Sequence, residues 1–364
     1  MNIPLYGEHL KDKRIGFVIG TDIASYNAPK YIYELRKYGG DVIPYIYNKN
    51  EYINNNILSY YADNLVSDIS NIENIDAIII FATTDKETNL IINKLPKDIK
   101  ILLITNSSTN YSNINVINYI DSADKNVNKT VSSVVRYLSN SIIAGVKILV
   151  TAGPTPVKID NVRRMTNKFS GKLGIEIANE LYLRGADVML YQSYSGIRPP
   201  EYIPQVLFQD YDEYKELCIN NCNNFDIGIF SAAVADYKPK DVVLGKIPSG
   251  GVLKSIELIQ TEKVINLVKN INPKLDMISF KYEEGKTLEQ LVAIAKKRLL
   301  LDHKMVVVND ISLNVNDQKC FMCELINNDA KVTGTAIGKI NIAREIANKI
   351  ESLRKDNAYA KENI

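Results

Sequence analysis

The feature that most constrains the fold is an alternation of short apolar runs with segments that have the 3.6-residue period of amphipathic helices. The runs Arg14 to Gly20, Ala77 to Phe81 and Ile99 to Thr105 are typical of buried strands, and Ala28 to Tyr38 is typical of a helix between two of them. Strands that alternate with helices predict mostly parallel sheets. We therefore expect an α/β fold made of doubly wound, Rossmann-like domains.

The same alternation starts a second time near the middle of the chain. A polar stretch from Asn106 to Lys129 predicts irregular loops around one short strand near Ile114 to Ile120. A helix from about Thr130 to Ser141 then leads into a new strand at Lys147. A chain of 364 residues is long enough for two domains, each with a core of its own. We expect domains at 1–143 and 144–364.

The second domain carries its own series of predicted elements. Asn327-Asn328-Asp329 lies between two apolar segments and predicts a hairpin turn. The expected helices are Lys172–Leu183, Asp212–Cys222, Leu288–Leu300 and Ile340–Leu353, and the expected strands are Asp187–Tyr191, Phe225–Ser231, Met277–Phe280, Met305–Asn309, Cys320–Ile326 and Lys331–Thr335.

Charge and composition favour small-molecule partners. The net charge is only +2, which predicts neither a nucleic-acid nor a membrane partner. The sequence starts without a basic, then apolar, leader and has no run of about 18 apolar residues, so we expect a cytoplasmic protein. The four cysteines form two close pairs, Cys218 with Cys222 and Cys320 with Cys323. Metal binding and disulfides are open interpretations, but buried reduced thiols are favoured.

The densest chemical signal follows the first strand of the second domain. Thr151-Ala-Gly-Pro-Thr155 leads through Ile159-Asp-Asn-Val-Arg163 to Asn167-Lys-Phe-Ser-Gly171-Lys-Leu-Gly174. Glycines allow the backbone to approach a ligand closely, and the free amides at a helix N-terminus favour anions such as phosphate. A plain Rossmann turn is the alternative for the two glycines alone, and Arg163, Asn167 and Ser170 strengthen the phosphate-site interpretation.

A second signal lies at the end of a later strand, in Phe230-Ser-Ala-Ala-Val-Ala-Asp236-Tyr237. Small side chains at that edge of a sheet leave space for a base or sugar, and Asp236 is suited to a ribose hydroxyl or a magnesium ion. Lys246 follows in a segment rich in glycine and proline, where a mobile lysine is suited to closing over a triphosphate. Helix capping by Asp236 and simple solvation of Lys246 are the alternatives.

These motifs together resemble phosphopantothenoylcysteine synthetase, also called phosphopantothenate-cysteine ligase. The matching residues are Thr151 to Gly174, Ala232 to Tyr237, Lys246, Phe280 and Val308-Asn309-Asp310, within a span of roughly Lys147 to Leu353. The resemblance implies a step of coenzyme A biosynthesis with Mg²⁺. CTP or ATP activates the carboxylate of 4'-phosphopantothenate as an acyl-nucleotide with release of pyrophosphate, and L-cysteine then displaces CMP or AMP.

Residue roles follow from the resemblance, position by position. Asn167 is expected to hold the acyl-nucleotide, Arg163 to support the cysteine-dependent half, and Lys246 to neutralise charge at the phosphates. The residues expected at the nucleotide are Gly153, Ser170, Gly171, Ala232, Ala233, Asp236, Lys246, Phe280 and Lys297, with Asp236 also the expected metal ligand. For Lys297 a solvated helical face is the alternative. Phe169, where many members carry a small hydroxyl residue, and Phe280-Lys281-Tyr282-Glu283, which is more like the eukaryotic version, leave CTP and ATP both open.

The first domain has a weaker resemblance of its own. Gly20 to Pro29, followed by Gly39-Gly40-Asp41-Val42, is similar to the start of the flavin-dependent phosphopantothenoylcysteine decarboxylase that is often fused ahead of the synthetase. The histidine and the cysteine which that enzyme uses have no counterpart, because the only histidines are His9 and His303 and no cysteine precedes Cys218. Asp22 also places negative charge where a flavin phosphate docks. We expect a degenerate domain without FMN.

Three other functions are alternatives to a monofunctional ligase. They are a bifunctional ligase and FMN-dependent decarboxylase, a non-catalytic nucleotide-binding regulatory protein, and a dinucleotide-dependent dehydrogenase. The last lacks a compact G-x-G-x-x-G after a strand. The resemblance also implies a homodimer or a larger homo-oligomer.

Overall fold

The computed structural model describes residues 5–62, 74–105, 111, 114–118, 127–248, 250, 255–313 and 317–362. The chain forms two compact units, Met1–Asn140 and Ser141–Ile364. The second unit therefore starts three residues before position 144, where the sequence places the boundary. Each unit contains a sheet of mainly parallel strands with helices between them, so the expected α/β, Rossmann-like fold class is confirmed.

The first unit contains a five-stranded parallel sheet in the order β2-β1-β3-β4-β5. This order reverses direction between β1 and β3, and open α/β sheets bind ligands at such a point. The central strand β3 is buried at all five positions, as a parallel strand covered on both faces requires. The elements are β1 (Arg14–Ile19), α1 (Ala28–Arg36), β2 (Asp41–Ile46), α2 (Asn55–Tyr61), β3 (Ala77–Phe81), α3 (Asp85–Ile92), β4 (Lys100–Thr105), β5 (Asn115–Asn118) and α4 (Val127–Leu138).

One helix of this unit differs from the sequence-based expectations, and one predicted region lies largely outside the described residues. Helix α2 was not predicted; its N-terminus is capped by the side chain of Asn54, which accepts from the Asn56 amide. The stretch from Asn106 to Lys129 lies largely outside the described residues, apart from β5, the beginning of α4 and single positions.

The second unit contains an eight-stranded sheet in the order β10-β9-β6-β11-β14-β15-β16-β17. The strands from β10 to β15 are parallel, and β16 and β17 add an antiparallel hairpin at one edge. Asn327 and Asn328 turn that hairpin with φ values of 52° and 63°, the left-handed region that asparagine tolerates. The elements of the main sheet and its helices are β6 (Lys147–Ala152), α5 (Lys172–Leu183), β9 (Asp187–Ser193), β10 (Gln205–Phe208), α6 (Tyr211–Asn221), β11 (Ile227–Phe230), α7 (Val264–Ile271), β14 (Asp276–Glu283), α8 (Leu288–Leu299), β15 (His303–Asp310), β16 (Lys319–Ile326), β17 (Asp329–Ile337) and α9 (Lys339–Glu362).

Two short antiparallel ribbons project from this sheet. One pairs β7 (Val157–Lys158) with β8 (Arg164–Met165), and the other pairs β12 (Tyr237–Pro239) with β13 (Leu258–Gln260). Both ribbons belong to connections that leave the carboxyl ends of the parallel strands. They therefore lie on the side of the sheet where ligands are expected.

The core of the second unit has a layer of helices on each face of the sheet. Helices α5 and α9 pack on one face, and α6 and α7 pack on the other. Gly174 allows α5 to lie close to β6, because a Cβ atom at this position would be 2.5 Å from the Cβ atom of Ala152. This close approach places the N-terminus of α5 beside the end of β6.

The four cysteines are free and buried, in agreement with the buried-thiol interpretation. Burial raises the pKa values of the Cys218 and Cys320 thiols to about 12. In the described part of the chain, no three His, Cys, Asp or Glu side chains are grouped as a metal site would need. None of the described helices is both long and apolar enough to cross a bilayer.

Candidate active site

A cleft of about 740 Å³ opens at the carboxyl ends of β6, β11 and β14. Its walls are the loop after β6 with the N-terminus of α5, the loop after β11, and residues of β14, α8 and β15. Open α/β sheets bind their ligands at this edge. The position therefore agrees with the ligand site expected from the sequence.

Hydrogen bonds join the loop after β6 to the loop after β11. The Ala233 amide donates to the Gly153 carbonyl over 2.9 Å, and the Thr155 amide donates to the Ala233 carbonyl over 3.2 Å. Asn167 Nδ2 donates to that same Ala233 carbonyl over 2.6 Å. The side chain of Asn167 thus lies between the two loops and lines the cleft.

The N-terminus of α5 forms the floor of the cleft. Gly171 is the N-cap residue with φ of 84°, and no side chain caps the helix there. A Cβ atom at Gly171 would lie 2.7 Å from the Gly153 amide nitrogen, so only glycine fits between the two segments. The first amides of α5 therefore remain available to an anion in the cleft.

Most of the residues selected from the sequence lie together. Eight of them line the cleft, namely Gly153, Asn167, Ser170, Gly171, Ala232, Ala233, Asp236 and Phe280. Arg163, Lys246 and Lys297 are not among the lining residues. Lys297 is exposed on α8, and its neighbour Arg298 lines the cleft instead.

The segment that carries Lys246 is fastened to the loop that carries Arg163. The buried carboxylate of Asp160 accepts from the Ile247 amide over 3.0 Å and pairs with the Arg163 guanidinium at 2.5 Å. Burial by itself would raise the pKa of the Asp160 carboxyl, but backbone amides and Arg163 hold that pKa well below its usual range. Arg163 also donates to the Ile247 carbonyl over 3.2 Å. In this arrangement Arg163 holds the Lys246 segment, and the exposed Lys246 side chain lies outside the cleft lining.

The cleft carries an excess of positive charge. Its lining includes the two carboxylates Asp236 and Glu262 and six cationic side chains, namely Lys168, Lys172, Lys263, Lys281, Arg298 and Lys339. Asp236 pairs with Lys263 at 2.5 Å, and Glu262 pairs with Lys215 at 2.9 Å. Both carboxylates are thus neutralised. Lys281 and Lys339 pair with Glu283 and Asp317, so that Lys168, Lys172 and Arg298 are the lining cations without an ion pair among the described residues. These cations favour an anionic ligand.

Two buried threonines that the sequence analysis did not select hold the loop after β11. Thr155 Oγ1 accepts from the Ala235 amide over 2.8 Å, and Thr151 Oγ1 accepts from the Ala232 amide over 3.3 Å. Both belong to the run Thr151-Ala-Gly-Pro-Thr155. Two threonines at the end of a strand were the signal that the sequence offered for such a role. Their partner loop lies about 80 residues later, so the sequence could not identify the amides that they bind.

Phe169 and Tyr282 form an aromatic contact at the mouth of the cleft. Their ring centroids are 5.4 Å apart in an edge-to-face arrangement, and both side chains are exposed. The contact joins the loop before α5 to the end of β14. A residue that departs from the expected pattern therefore lies in the wall of the cleft.

The corresponding loop of the first unit is closed by its own side chains. The Asp22 carboxylate accepts from the Ala24 amide over 2.8 Å, and Thr21 Oγ1 donates to Glu87 over 2.7 Å. Asn50 Nδ2 donates to the Gly20 carbonyl over 2.5 Å. The N-terminus of α3 is closed as well, by a capping box between Thr84 and Glu87. At this switch point the amides that a phosphate needs are already bonded, and carboxylates lie beside them.

Comparison with known proteins adds independent findings. Residues 143–353 match the family described as the DNA/pantothenate metabolism flavoprotein C-terminal domain. The coenzyme A biosynthesis bifunctional protein CoaBC of Thermococcus kodakarensis is 34% identical over 176 residues, which cover 48% of this chain and 43% of that protein. The protein of the same name from Methanocaldococcus jannaschii is 28% identical over 234 residues, which cover 63% of this chain and 57% of that protein.

A solved structure shows the same fold. The DNA/pantothenate metabolism flavoprotein of Streptococcus pneumoniae superimposes with a TM-score of 0.51 and 26% identity, and the match covers 57% of this chain and all of that one. The chain spans about half the length of the curated relatives it matches. Because the family match extends over more than half of the residues and includes the whole cleft, the chain belongs to the DNA/pantothenate metabolism flavoprotein C-terminal domain family.

Proposed function

We propose that the second unit joins 4'-phosphopantothenate to L-cysteine at the expense of a nucleoside triphosphate. The observation that carries this proposal is the cleft, in which eight residues selected for that reaction lie together among an excess of cations. The reaction's two first substrates are both polyanions, which such a cleft attracts. The relatives named as bifunctional coenzyme A biosynthesis proteins support the same pathway.

The chemistry explains why one cleft must hold two anionic substrates. A carboxylate is a poor electrophile because its charge repels a nucleophile. Attack of the carboxylate on the α-phosphorus of the triphosphate forms an acyl-nucleotide and releases pyrophosphate. The amino group of cysteine then attacks the acyl carbon, forms the amide bond, and expels the nucleoside monophosphate.

The chain's own residues supply binding and charge stabilisation. The uncapped amides at the N-terminus of α5 bind phosphate oxygens. Ala232 and Ala233 leave space for the nucleoside, with Phe280 in the same lining. Asn167 holds the acyl-nucleotide, and its position between the two loops suits that role. Lys246 neutralises the charge that develops at the phosphates after its segment moves toward the cleft.

Arg163 acts on that movement. Its bonds to Asp160 and to the Ile247 carbonyl set the position from which the Lys246 segment closes. The role expected from the resemblance, support of the cysteine-dependent half, is then exercised through this segment. The exposed part of the Arg163 side chain remains free to contact a substrate.

Magnesium fits this site as an ion carried by the triphosphate. Mg²⁺ is commonly held by one or two carboxylates together with substrate phosphates and water. Asp236 offers one such carboxylate, exposed at the cleft and paired through one oxygen with Lys263. When bound, the ion would neutralise phosphate charge. Because the triphosphate and water supply most of the ligands, this mode of binding agrees with the absence of a cluster of three acidic side chains among the described residues.

CTP and ATP both remain candidates for the nucleotide. Phe169 places a second aromatic ring beside Tyr282 at the mouth of the cleft, at a position where many family members carry a small hydroxyl residue. A flat base can stack on such rings, but stacking alone accepts either base. Direct competition between the two nucleotides decides the preference.

Flavin does not fit the first unit. Asp22 bonds the amide at the first helical turn, and Glu87 closes the N-terminus of α3, so a phosphate would have to displace two carboxylates from a partly buried site. We therefore propose no decarboxylation by this chain. The relatives' printed name describes bifunctional proteins, and we propose that this chain keeps only the ligase reaction.

A homodimer is the assembly that the exposed surface favours. Val242, Val243 and Leu244 are exposed apolar residues beside the ribbon of β12 and β13, and Leu244 is 94% exposed. Leu258 and Ile259 on β13 are exposed apolar residues as well, and they point to opposite faces of the ribbon. Exposed apolar surface that is larger than usual marks interaction sites. Light scattering after size-exclusion chromatography tests whether the protein is a monomer.

The experiment that tests the proposed function is a pyrophosphate-release assay with each substrate left out in turn. Pyrophosphate should appear only when phosphopantothenate, magnesium and CTP or ATP are all present, and cysteine should be needed only for the final product. Release of orthophosphate with CDP or ADP would mean an acyl-phosphate route and would contradict the proposal. Nucleotide binding without any turnover would instead favour a regulatory binding protein.

A further inference from the structure

A buried glutamine lies directly behind the floor of the cleft. Gln192 is the second-last residue of β9, and its backbone pairs with Ala152 at the carboxyl end of β6. Glutamine is mostly an exposed residue in folded proteins, but Gln192 is 0% exposed. It is not among the residues that line the cleft, and the expectations drawn from the sequence did not include it. The contacts of its carboxamide must therefore explain why a polar side chain is buried here.

The carboxamide is linked to the cleft floor through the backbone of Ile197. Gln192 Nε2 donates to the Ile197 carbonyl over 3.0 Å. The Ile197 amide in turn donates to the Ser170 carbonyl over 3.0 Å. Ser170 directly precedes Gly171, the N-cap residue of α5. Two hydrogen bonds in series thus connect Gln192 to the uncapped helix N-terminus that is available to an anion.

Three glycines bring backbone segments close to the same carboxamide. A Cβ atom would lie 3.1 Å from Gln192 Nε2 if it were added at Gly171, and 3.3 Å from it if it were added at Gly153. A Cβ atom at Gly196 would overlap with Nε2 and would lie 2.8 Å from the Ser170 carbonyl oxygen. Gly153 and Gly171 both line the cleft. The carboxamide therefore packs against both segments that form the floor.

Stability alone does not account for this glutamine. Its Oε1 atom is buried, and no donor among the described residues bonds it; the same holds for the Oγ atom of the adjacent Ser193. A buried polar atom without a partner costs free energy that an apolar side chain of similar size would avoid. Native proteins keep such unfavourable features mainly at functional sites. The other end of the same carboxamide holds the cleft floor, which supplies the function.

We propose that Gln192 is a positioning residue that holds Ser170 and Gly171 so that the first amides of α5 are aimed at an anion in the cleft. Gln192 does not touch the ligand and acts through the Ile197 backbone. A small shift of the helix N-terminus would weaken the bonds from its amides to the anion, because hydrogen bonds are directional. The identity of the anion as a nucleotide phosphate rests on the proposed ligase function, whereas the positioning of the amides does not.

Calorimetric titration of the full-length chain with inorganic pyrophosphate tests this role. Gln192→Met keeps a similar volume but loses the donor, and it should weaken pyrophosphate binding by about threefold to tenfold, the net worth of one hydrogen bond. Gln205→Met is the matched control, because Gln205 lies on the adjacent strand β10 and donates to the Ile203 carbonyl over 3.4 Å instead. It should leave the affinity nearly unchanged. Equal effects of the two substitutions, or no effect of Gln192→Met, would overturn the proposal.

The stability of the same variant separates positioning from packing. Gln192→Met removes the unpaired Oε1 atom together with the bond to Ile197, and these opposing effects should leave the melting temperature nearly unchanged. In the ligase assay the variant should raise the KM for the nucleotide, with little change in kcat or in the KM for cysteine. A lower melting temperature with an unchanged KM and an unchanged pyrophosphate affinity would make Gln192 a packing residue and contradict the proposal.

Two further variants test the link without changing Gln192. Gly196→Ala should weaken pyrophosphate binding at least as much as Gln192→Met, because its Cβ atom would displace both Gln192 Nε2 and the Ser170 carbonyl. Ser193→Ala removes the other unpaired buried atom, which makes no bond to the floor, and should leave the affinity unchanged. Circular dichroism identifies variants that fail to fold. A folded Gly196→Ala protein with wild-type pyrophosphate affinity would contradict the proposal.

The two proposals can fail separately. A protein whose pyrophosphate affinity depends on Gln192, but which never releases pyrophosphate from a nucleotide, would contradict the ligase function and leave this inference standing. A working ligase whose pyrophosphate affinity and nucleotide KM are the same in Gln192→Met as in the wild type would do the reverse. A wild-type chain that does not bind pyrophosphate would overturn the inference.

Discussion

The two units share a strand-loop-helix motif but differ in whether its polar groups are bonded within the protein. Each begins its sheet with a strand that leads into a loop containing glycine, with a helix after it, as in β1 with Gly20 and β6 with Gly153. In the first unit Asp22, Asn50 and Glu87 bond the polar groups of that region. In the second unit the N-terminus of α5 has no side-chain cap and lies on the floor of a cleft.

The comparison shows that a strand-loop-helix motif becomes a binding site only if its amides are left for a ligand. Satisfying them internally stabilises the unit, because each buried polar group needs a partner. Leaving them open costs stability until an anion arrives. We therefore interpret the first unit as a scaffold and expect the second to bind a charged substrate.

The largest expected effect on catalysis by the second unit is the loss of the Lys246 side chain. Lys246→Ala should lower the rate of acyl-nucleotide formation by about two to three powers of ten, the scale for loss of a charge-stabilising group in a transition state. Pyrophosphate release under single-turnover conditions measures it. Lys240→Ala, whose side chain pairs with the exposed Glu257, is the control and should leave the rate nearly unchanged. Equal rates in both variants would remove Lys246 from the mechanism.

Asn167→Ala should have the next largest effect on the second unit. Its side chain donates to the Ala233 carbonyl between the two cleft loops, and the Thr155 amide still donates to that carbonyl in the variant, so the loss should fall on the acyl-nucleotide more than on stability. Both acyl-nucleotide formation and its reaction with cysteine should slow, by about tenfold to a hundredfold. Separate measurement of the two half-reactions tests this. A defect confined to one of them would contradict the assigned role.

A pair of glycine substitutions compares the two loops directly. At Gly20 a Cβ atom would lie 2.4 Å from the Ala82 carbonyl oxygen, and at Gly171 it would lie 2.7 Å from the Gly153 amide nitrogen. Each alanine variant should lose about 1–3 kcal/mol of stability through overpacking. Gly171→Ala should also abolish most nucleotide binding, whereas Gly20→Ala should leave it intact. If Gly20→Ala impaired binding as much, the scaffold interpretation of the first unit would be wrong.

Acid should destabilise the second unit through His303. Its pKa is about 4 in the folded protein, below the ordinary 6.5, so the unfolded chain takes up a proton first as the pH falls. Stability should therefore decrease from pH 6.5 toward pH 4. Burial by itself would raise the pKa of Asp310, but hydrogen bonds from Ser312 and backbone amides outweigh burial and lower that pKa to about 2. Protonation of Asp310 therefore extends the loss of stability below pH 3.8. Thermal unfolding of a fragment of residues 141–364 measures this, and His303→Leu should flatten the upper part of the curve.

Flavin should have no effect on the first unit. Purified protein should show no flavin absorbance after incubation with excess FMN, because the amides and the space near Asp22 are taken. Asp22→Ser keeps a capping group and removes the charge, and it should still bind no FMN while Glu87 closes α3. A stoichiometric yellow complex that releases carbon dioxide from phosphopantothenoylcysteine would restore the bifunctional hypothesis.

Much of the fold could be predicted from local pattern. Helix α5 has the predicted bounds, and β3 has them too, because both have a clear period or a continuous apolar run between turn signals. Helices α2 and α7 and the edge strand β10 were not predicted. They are short, at seven, eight and four residues, and such segments take their structure from packing more than from their own pattern.

What the sequence by itself determined is the α/β class and the identity of the cleft residues near the two motifs. Both depend on local features: periodicity, glycine at a turn, and small or charged side chains at the end of a strand. Only the tertiary structure decided that Arg298, rather than Lys297, lines the cleft, that Arg163 holds the Lys246 segment, and that Asp22 and Glu87 close the first unit's loop. The physical reason is that burial and hydrogen bonding join residues far apart in the chain, such as Asn167 with Ala233 or Ser279 with His303, and no local pattern encodes those partners.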